Sequence, residues 1–324
     1  MPELPFVTVV VENLAPLVAG RTVEDVVVRG VSVLKTVDPS IADLRGRRIA
    51  GVRRRAKLLL LDIAGGLLLV IHLRRNGRLR AVPRGTRRTA RDLALVLALD
   101  RGPDIQMIEM GPKKAASVWV FRAEGLDAAD PRLRGTSRLE LHDGRPHVGR
   151  QDAPASITCW PAACRPASPL TGLGVEPFSP EFTPDALARM LRAARMRLKA
   201  FLVTQRYVVG TGNTYADEIL WEARLSPQAM TTALGEDEVR RLHGAITSTL
   251  ERGIDVHRSA AAGALPMKEP LEGLAVHRKG GEPCPRCGTP IAVIYYEDRE
   301  TYYCPVCQAG GNVYSDRRRS RLLR

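Results

Sequence analysis

From residue 22 to residue 122 the apolar positions come in short runs, TVEDVVV, RRIAGV, KLLLLDI, LLLVIHL, LALVLAL and SVWVF, broken by Gly, Pro and charged residues. Runs this short, rich in Val, Ile and Leu and separated by turn formers, predict an antiparallel β-sandwich. Ahead of them ELPFVTVVVENLAPL (3–17) predicts a first helix, although its β-branched stretch is a poor helix former. Residues 133–170 carry many Pro, Arg, Ser and Gly with no sustained period, the pattern of a linker or irregular insertion. From 183 the spacing turns helical through TPDALARMLRAARMRLKAFL, TYADEILWEARL and GEDEVRRLHGAITSTLERG, with Thr183 before Pro184 and Asp185 as an expected N-cap. No internal repeat is evident. The order of elements is therefore α+β and multidomain, within reach of a 324-residue chain.

Charge narrows the partner. Lys and Arg outnumber Asp and Glu by 49 to 35, a net +14, which favours a polyanion through counterion release, nucleic acid before an anionic membrane. The longest apolar runs, LLLLDI (58–63) and LLLVIHL (67–73), are too short to span a bilayer, and no secretory leader precedes them. The expectation is a soluble cytoplasmic, nucleoid-associated protein with no membrane partner.

Near the C-terminus Cys284 and Cys287 form one C-x2-C pair and Cys304 and Cys307 a second. Two such knuckles joined by a β-hairpin present four thiolates tetrahedrally to one structural Zn2+, whereas buried or redox cysteines are the alternative. In isolation such sites contribute about 10–16 kcal/mol to the fold of a ribbon too small to hold itself. Four protein ligands leave no open position for water, so the metal's role would be structural. Arg299, between the knuckles, is placed to meet a phosphate or a base, or simply solvent.

Two further stretches carry chemistry. MPELP puts Pro2 behind the initiator methionine and Glu3 after it. With Met1 removed, Pro2 would be a secondary amine titrating near about 7.7–8.0, partly nucleophilic at neutral pH. The same residues also suit a helix N-terminus. In YVVGTGNTYADE (207–218), Gly210 and Gly212 permit a tight turn before a helix starting around Thr214, and exposed amides with the Asn213 side chain would clamp a phosphate. A G-x-G alone is weak, and the third glycine of the dinucleotide fingerprint is missing.

Taken together, PELP, RRAK (54–57), IHL with NGRLR (71–80), LGVEP (173–177), VVGTGNTYADEIL (208–220) and RKGGEPCPRCGTPI through CPVC (278–307) resemble the formamidopyrimidine-DNA glycosylase and endonuclease VIII family of base-excision repair. The resemblance implies a β-sandwich, a helix-two-turns-helix domain and a zinc ribbon, with DNA held by all three. It divides the chain into a catalytic N-terminal domain (1–132), an insertion (133–170), a helical DNA-binding domain (171–262), the ribbon (263–310) and a basic tail (311–324). It implies that Pro2 attacks C1′ of the damaged nucleotide to form an iminium, that Glu3 is general acid and base, and that Lys57, Asn213 with Gly212, and Arg299 hold phosphates. No small-molecule cofactor is expected, and a monomer is expected.

Several positions depart from the family's pattern. PELPEVE becomes PELPFVT, with Phe6 and Thr8 in place of acids; HLGMSG becomes HLRRNG, with Arg75 where a methionine fills the space left by the flipped base. GPKKAA stands for DPRRFG, giving Lys114 and Ala115 instead of the pairing arginine and wedging phenylalanine. The loop that covers the lesion reads IDVHRSAAAGALPMKE and looks shorter. These changes point away from 8-oxoguanine and towards pre-opened, abasic or bulky substrates, with Phe6 offering an aromatic face to a base. The alternative is a protein that binds damaged DNA or DNA structures without excising. Within the insertion, His142, His147, Cys159 and Cys164 would make a second metal site only if spacings looser than usual were tolerated. His72, His243 and His257 have no assigned partner.

Overall fold

The computed structural model describes residues 2–30, 32–86, 91–111, 115–123, 138–142, 145–149, 168–296 and 299–314. The chain divides into two compact units, Met1–Gly172 with His257–Glu269, and Leu173–Val256 with Pro270–Arg324. Among the described residues no helix is long and apolar enough to cross a membrane.

The first unit opens with helix α1 (Leu4–Val18). Eight strands follow: β1 (Val23–Val28), β2 (Ile49–Arg55), β3 (Leu58–Ile63), β4 (Leu67–His72), β5 (Gly77–Val82), β6 (Leu93–Leu99), β7 (Asp104–Glu109) and β8 (Ser117–Arg122). They form two antiparallel four-stranded sheets, ordered β1-β6-β7-β5 and β2-β3-β4-β8. The sheets share one core. Leu59, Leu61 and Ile63 of β3, Leu67, Leu69 and Ile71 of β4 and Leu95 and Leu97 of β6 meet Phe6, Val7, Val10, Val11, Leu14 and Val18 of α1 there. A helix containing Val9, Val10 and Val11 is disfavoured by intrinsic propensity, so burial of its apolar face holds it together.

The segment expected to be irregular contains a hairpin, β9 (Arg138–His142) paired with β10 (Arg145–Gly149). The alternation in RLELH lasts only five residues and RPHVG has none, too short a signal to stand out in the sequence. The hairpin pairs His142 with Arg145 and His147 with Glu140; Cys159 and Cys164 lie outside the described residues, as does the basic tail from 315.

The second unit holds α2 (Pro184–Ala194), α3 (Leu198–Val203), α4 (Asn213–Glu222) and most of α5 (Glu236–Ala261). Thr183 caps α2, its hydroxyl accepting from Ala186 N at 3.1 Å. The single helix expected over 183–202 is broken: Arg195 takes a left-handed conformation at φ 44°. The freed backbone pairs instead with the 229–231 segment, Met196 N to Thr231 Oγ1, Thr231 N to Met196 O and Leu198 N to Ala229 O. Conversely, α5 runs to Ala261, so the first half of the stretch expected to cover a base is helix. The ribbon pairs β11 (Ala292–Tyr296) with β12 (Arg299–Tyr303) and ends in α6 (Pro305–Ala309).

Candidate active site and metal centre

Pro2 and Glu3 are both buried at the start of α1. Glu3 occupies the N-cap position in an extended conformation, its carbonyl accepting from Val7 N at 3.0 Å while its side chain does not cap the helix. The two departures that follow are absorbed locally. Thr8 Oγ1 donates to Leu4 O at 2.8 Å, and Phe6 is 1% exposed, its ring facing the Arg78 guanidinium at 4.9 Å and the edge of His257 at 5.8 Å. Phe6 is therefore a core residue, and the aromatic face expected to stack on a base is occupied.

Lys57 lies in the two-residue turn joining β2 and β3, where Arg55 pairs with Leu58 and Ala56 adopts φ 54°. It is buried, as is Arg55. His72, at the end of β4, pairs with both Leu58 and Ser117, and its buried Nε2 has no hydrogen-bond partner among the described residues. Burial pushes the His72 pKa down to about 3, helped by the charges of Arg74 and Lys57. His72 is thus neutral near pH 7 and lies in a strongly cationic neighbourhood with Lys57.

Arg75 is exposed in the turn between β4 and β5. Gly77 closes that turn: a Cβ there would sit 2.5 Å from Leu73 O, so no larger residue fits without rearrangement. Asn76 O accepts from Met110 N at 2.9 Å, which sets the Arg75 turn beside the loop after β7. Ala115 is exposed at the far end of that loop; Lys114 lies outside the described residues. The loop is closed by Glu109, a buried residue that the sequence reading missed. Its Oε1 accepts from Ala115 N at 2.5 Å and Ala116 N at 2.7 Å.

In the second unit, Gly210 (φ 89°) and Gly212 bring the chain into α4, with Gln205 bracing the turn through Gly210 N and Thr211 O. Asn213 Nδ2 donates to Glu300 O at 2.9 Å, and Lys199 Nζ lies 2.7 Å from the same carbonyl. The Asn213 amide thus ties the turn to β12 beside Arg299, whose side chain lies outside the described residues. Two adjacent carboxylates of α4 extend this tie. Asp217 meets Lys199 Nζ and His277 Nδ1, each at 2.7 Å. Glu218 accepts from Ala275, Val276 and His277 N at 2.7, 2.9 and 2.8 Å.

The sulfurs of Cys284, Cys287, Cys304 and Cys307 all lie within 4.8 Å of one another. An all-sulfur donor set of this size suits a tetrahedral metal ion. Trp221 of α4 donates its indole N–H to Cys284 Sγ at 3.3 Å and stacks under Arg286 at 3.9 Å, so the first knuckle rests on the helix. The Thr289 hydroxyl and amide pull the Cys287 thiol down to about 6, easing formation of a thiolate.

Three family domains match in order. Residues 1–118 match the formamidopyrimidine-DNA glycosylase N-terminal domain, 173–263 its H2TH domain and 281–310 the zinc finger found in FPG and IleRS. The formamidopyrimidine-DNA glycosylase of Chloroflexus aurantiacus is 33% identical over 314 residues, covering 95% of this chain and 98% of that protein. Among solved structures, the MutM (Fpg) protein of Thermus thermophilus is 30% identical, with a TM-score of 0.71 over 96% of this chain and 100% of the other. A Lactococcus lactis Fpg mutant in complex with Fapy-dG-containing DNA aligns with a TM-score of 0.75 at 25% identity, covering 95% of this chain and 100% of that one.

Half-buried His72 and buried His257 destabilise the first unit in acid. His72 is held down to about 3 and, chiefly by burial, His257 to about 4, against 6.5 when exposed. Below pH 6.5 the unfolded chain takes up protons that the folded chain refuses, so stability is level above that pH and falls as pH drops towards about 4. Melting temperature followed from pH 7.5 to 4.5 should decline less steeply in His257→Gln than in the parent; equal slopes would contradict the assignment.

Proposed function

Because the chain belongs to the formamidopyrimidine-DNA glycosylase family, we propose that it is a DNA base-excision enzyme with glycosylase and abasic-site lyase activities, and that Pro2 is its nucleophile. The observation that carries this reading is the pairing of Pro2 with Glu3 at the buried start of a helix immersed in the core. After removal of Met1, the Pro2 nitrogen lone pair bonds to C1′ as the glycosidic bond breaks, and the base leaves with a proton. Glu3 delivers a proton to the ring oxygen as the sugar opens to the iminium. The iminium acidifies C2′–H, and loss of that proton expels the 3′ phosphate. Lys57 beside neutral His72 suits the phosphate flanking the reacting sugar. The test is borohydride trapping on an abasic oligonucleotide. Intact mass should show Met1 absent, and Pro2→Gly should cut trapping by about a hundredfold or more while leaving DNA affinity within about threefold. Mature, DNA-binding protein that yields no adduct would defeat the proposal.

The departures around the flipped base support a substrate preference. Ala115 is too small to wedge a base step, and exposed Arg75 suits contact with phosphate better than stacking in a duplex. Flipping a base from an intact duplex costs a few kcal/mol, so substrates already opened lose least. Single-turnover excision should be faster on single-stranded or bubble DNA than on matched duplex, and slow on 8-oxoguanine opposite cytosine. Efficient, cytosine-dependent removal of 8-oxoguanine from duplex would overturn this preference.

For the four cysteines we propose one structural Zn2+, held by Cys284, Cys287, Cys304 and Cys307; the metal shapes the ribbon that carries Arg299 and takes no part in bond breaking. Metal analysis should find one zinc per chain, and Cys304→Ser should lose it together with most DNA affinity. Metal-free protein with full affinity would refute the structural role.

A further inference from the structure

Arg78, the second residue of β5, is a buried arginine: its side chain is 10% exposed. Its guanidinium is used on every side. Nη1 donates to Gly77 O at 2.8 Å and to Arg75 O at 3.3 Å, Nε to Met267 O at 3.0 Å, and Nη2 to Glu269 Oε1 at 2.9 Å. Its flat face covers the ring of Phe6, one helical turn after Pro2. One side chain therefore joins three pieces of chain: the first turn of α1, the turn bearing Arg75, and the 262–269 segment that follows α5.

That segment is docked at several points within the first unit. Arg258, at the end of α5, pairs with Glu12 of α1 through two bonds of 2.9 and 3.1 Å. Asn13 Nδ2 donates to Ala264 O at 2.6 Å. Leu265 packs against the main core, and Met267 against the smaller cluster of Leu93, Val96 and Ile108. Removing a buried guanidinium would take a donor from Glu269 and from each backbone carbonyl it serves, so the end of the segment nearest Phe6 depends most on Arg78.

We propose that Arg78 is a positioning residue for base excision, fixing the 262–269 segment and the Arg75 turn over the first turn of α1 before DNA arrives. The inference rests on the excision reading above and adds to it. A base attached to the carbon that Pro2 attacks must leave through the space around that turn, and these walls meet the base, whereas an abasic sugar brings nothing for them to meet. Phe6 and Arg78 then form one device: the aromatic ring accepts the guanidinium's face where an acid would have drawn the guanidinium into a different pairing.

Arg78→Met keeps the bulk and removes the fork. Hydrogen exchange of the 262–269 amides should accelerate by about tenfold or more. Single-turnover excision of a formamidopyrimidine base should fall by about tenfold, while trapping on abasic DNA stays within about threefold of the parent. Arg78→Lys, which can still face Glu269 but cannot reach every acceptor, should fall between. Should Arg78→Met fail to fold, Glu269→Gln carries the same exchange measurement. Unchanged exchange in the folded variants, or excision and trapping falling by the same factor, would overturn the assignment. A parent protein that excises no base would defeat the excision reading instead, and the exchange result would still decide whether Arg78 holds the segment.

Discussion

The burial of α1 in the sandwich is the interaction on which the rest depends. Phe6, Val7, Val10, Val11, Leu14 and Val18 enter the core between the two sheets, and each buried side chain of this kind stabilises by about 1.5–3 kcal/mol. That sum overrides the poor helix propensity of consecutive valines and fixes the chain's first residues relative to the β2–β3 and β4–β5 turns. Terminal residues are ordered only when something ties them down. Here the helix itself is the tie, and Pro2 and Glu3 inherit its position.

The second unit solves a similar problem with charge. A small ribbon has little core of its own, so its alignment on α4 comes from Asp217 and Glu218, whose carboxylates take His277, Lys199 and three successive backbone amides. Asn213 and Lys199 add a shared hold on Glu300 O. The turn at Gly210–Asn213 and the backbone of β12 are thereby registered to each other by one network.

Much of this was legible in the sequence because it is local. The four cysteines announce themselves by spacing, the strands by their short apolar runs, and the Gly210–Gly212 turn by its glycines. What escaped reading depends on partners remote in the chain. The break at Arg195 follows from pairing with residues 229–231, and Arg78 and Glu269 are 191 positions apart. Phe6 looked like a pocket residue because its neighbours in sequence carry the chemistry, yet its neighbours in space are Arg78 and His257. Glu109 carries no signal in the sequence; only the fold shows it gathering the amides of Ala115 and Ala116.

If the amine of Pro2, held by α1, forms the covalent bond to DNA, the bond itself can be located. Peptide mapping by mass spectrometry of the borohydride-reduced adduct with abasic DNA does so most directly. The sugar remnant should be found on the N-terminal peptide, at the nitrogen of Pro2; a remnant on Lys57 or another lysine, with Pro2 unmodified, would contradict that role.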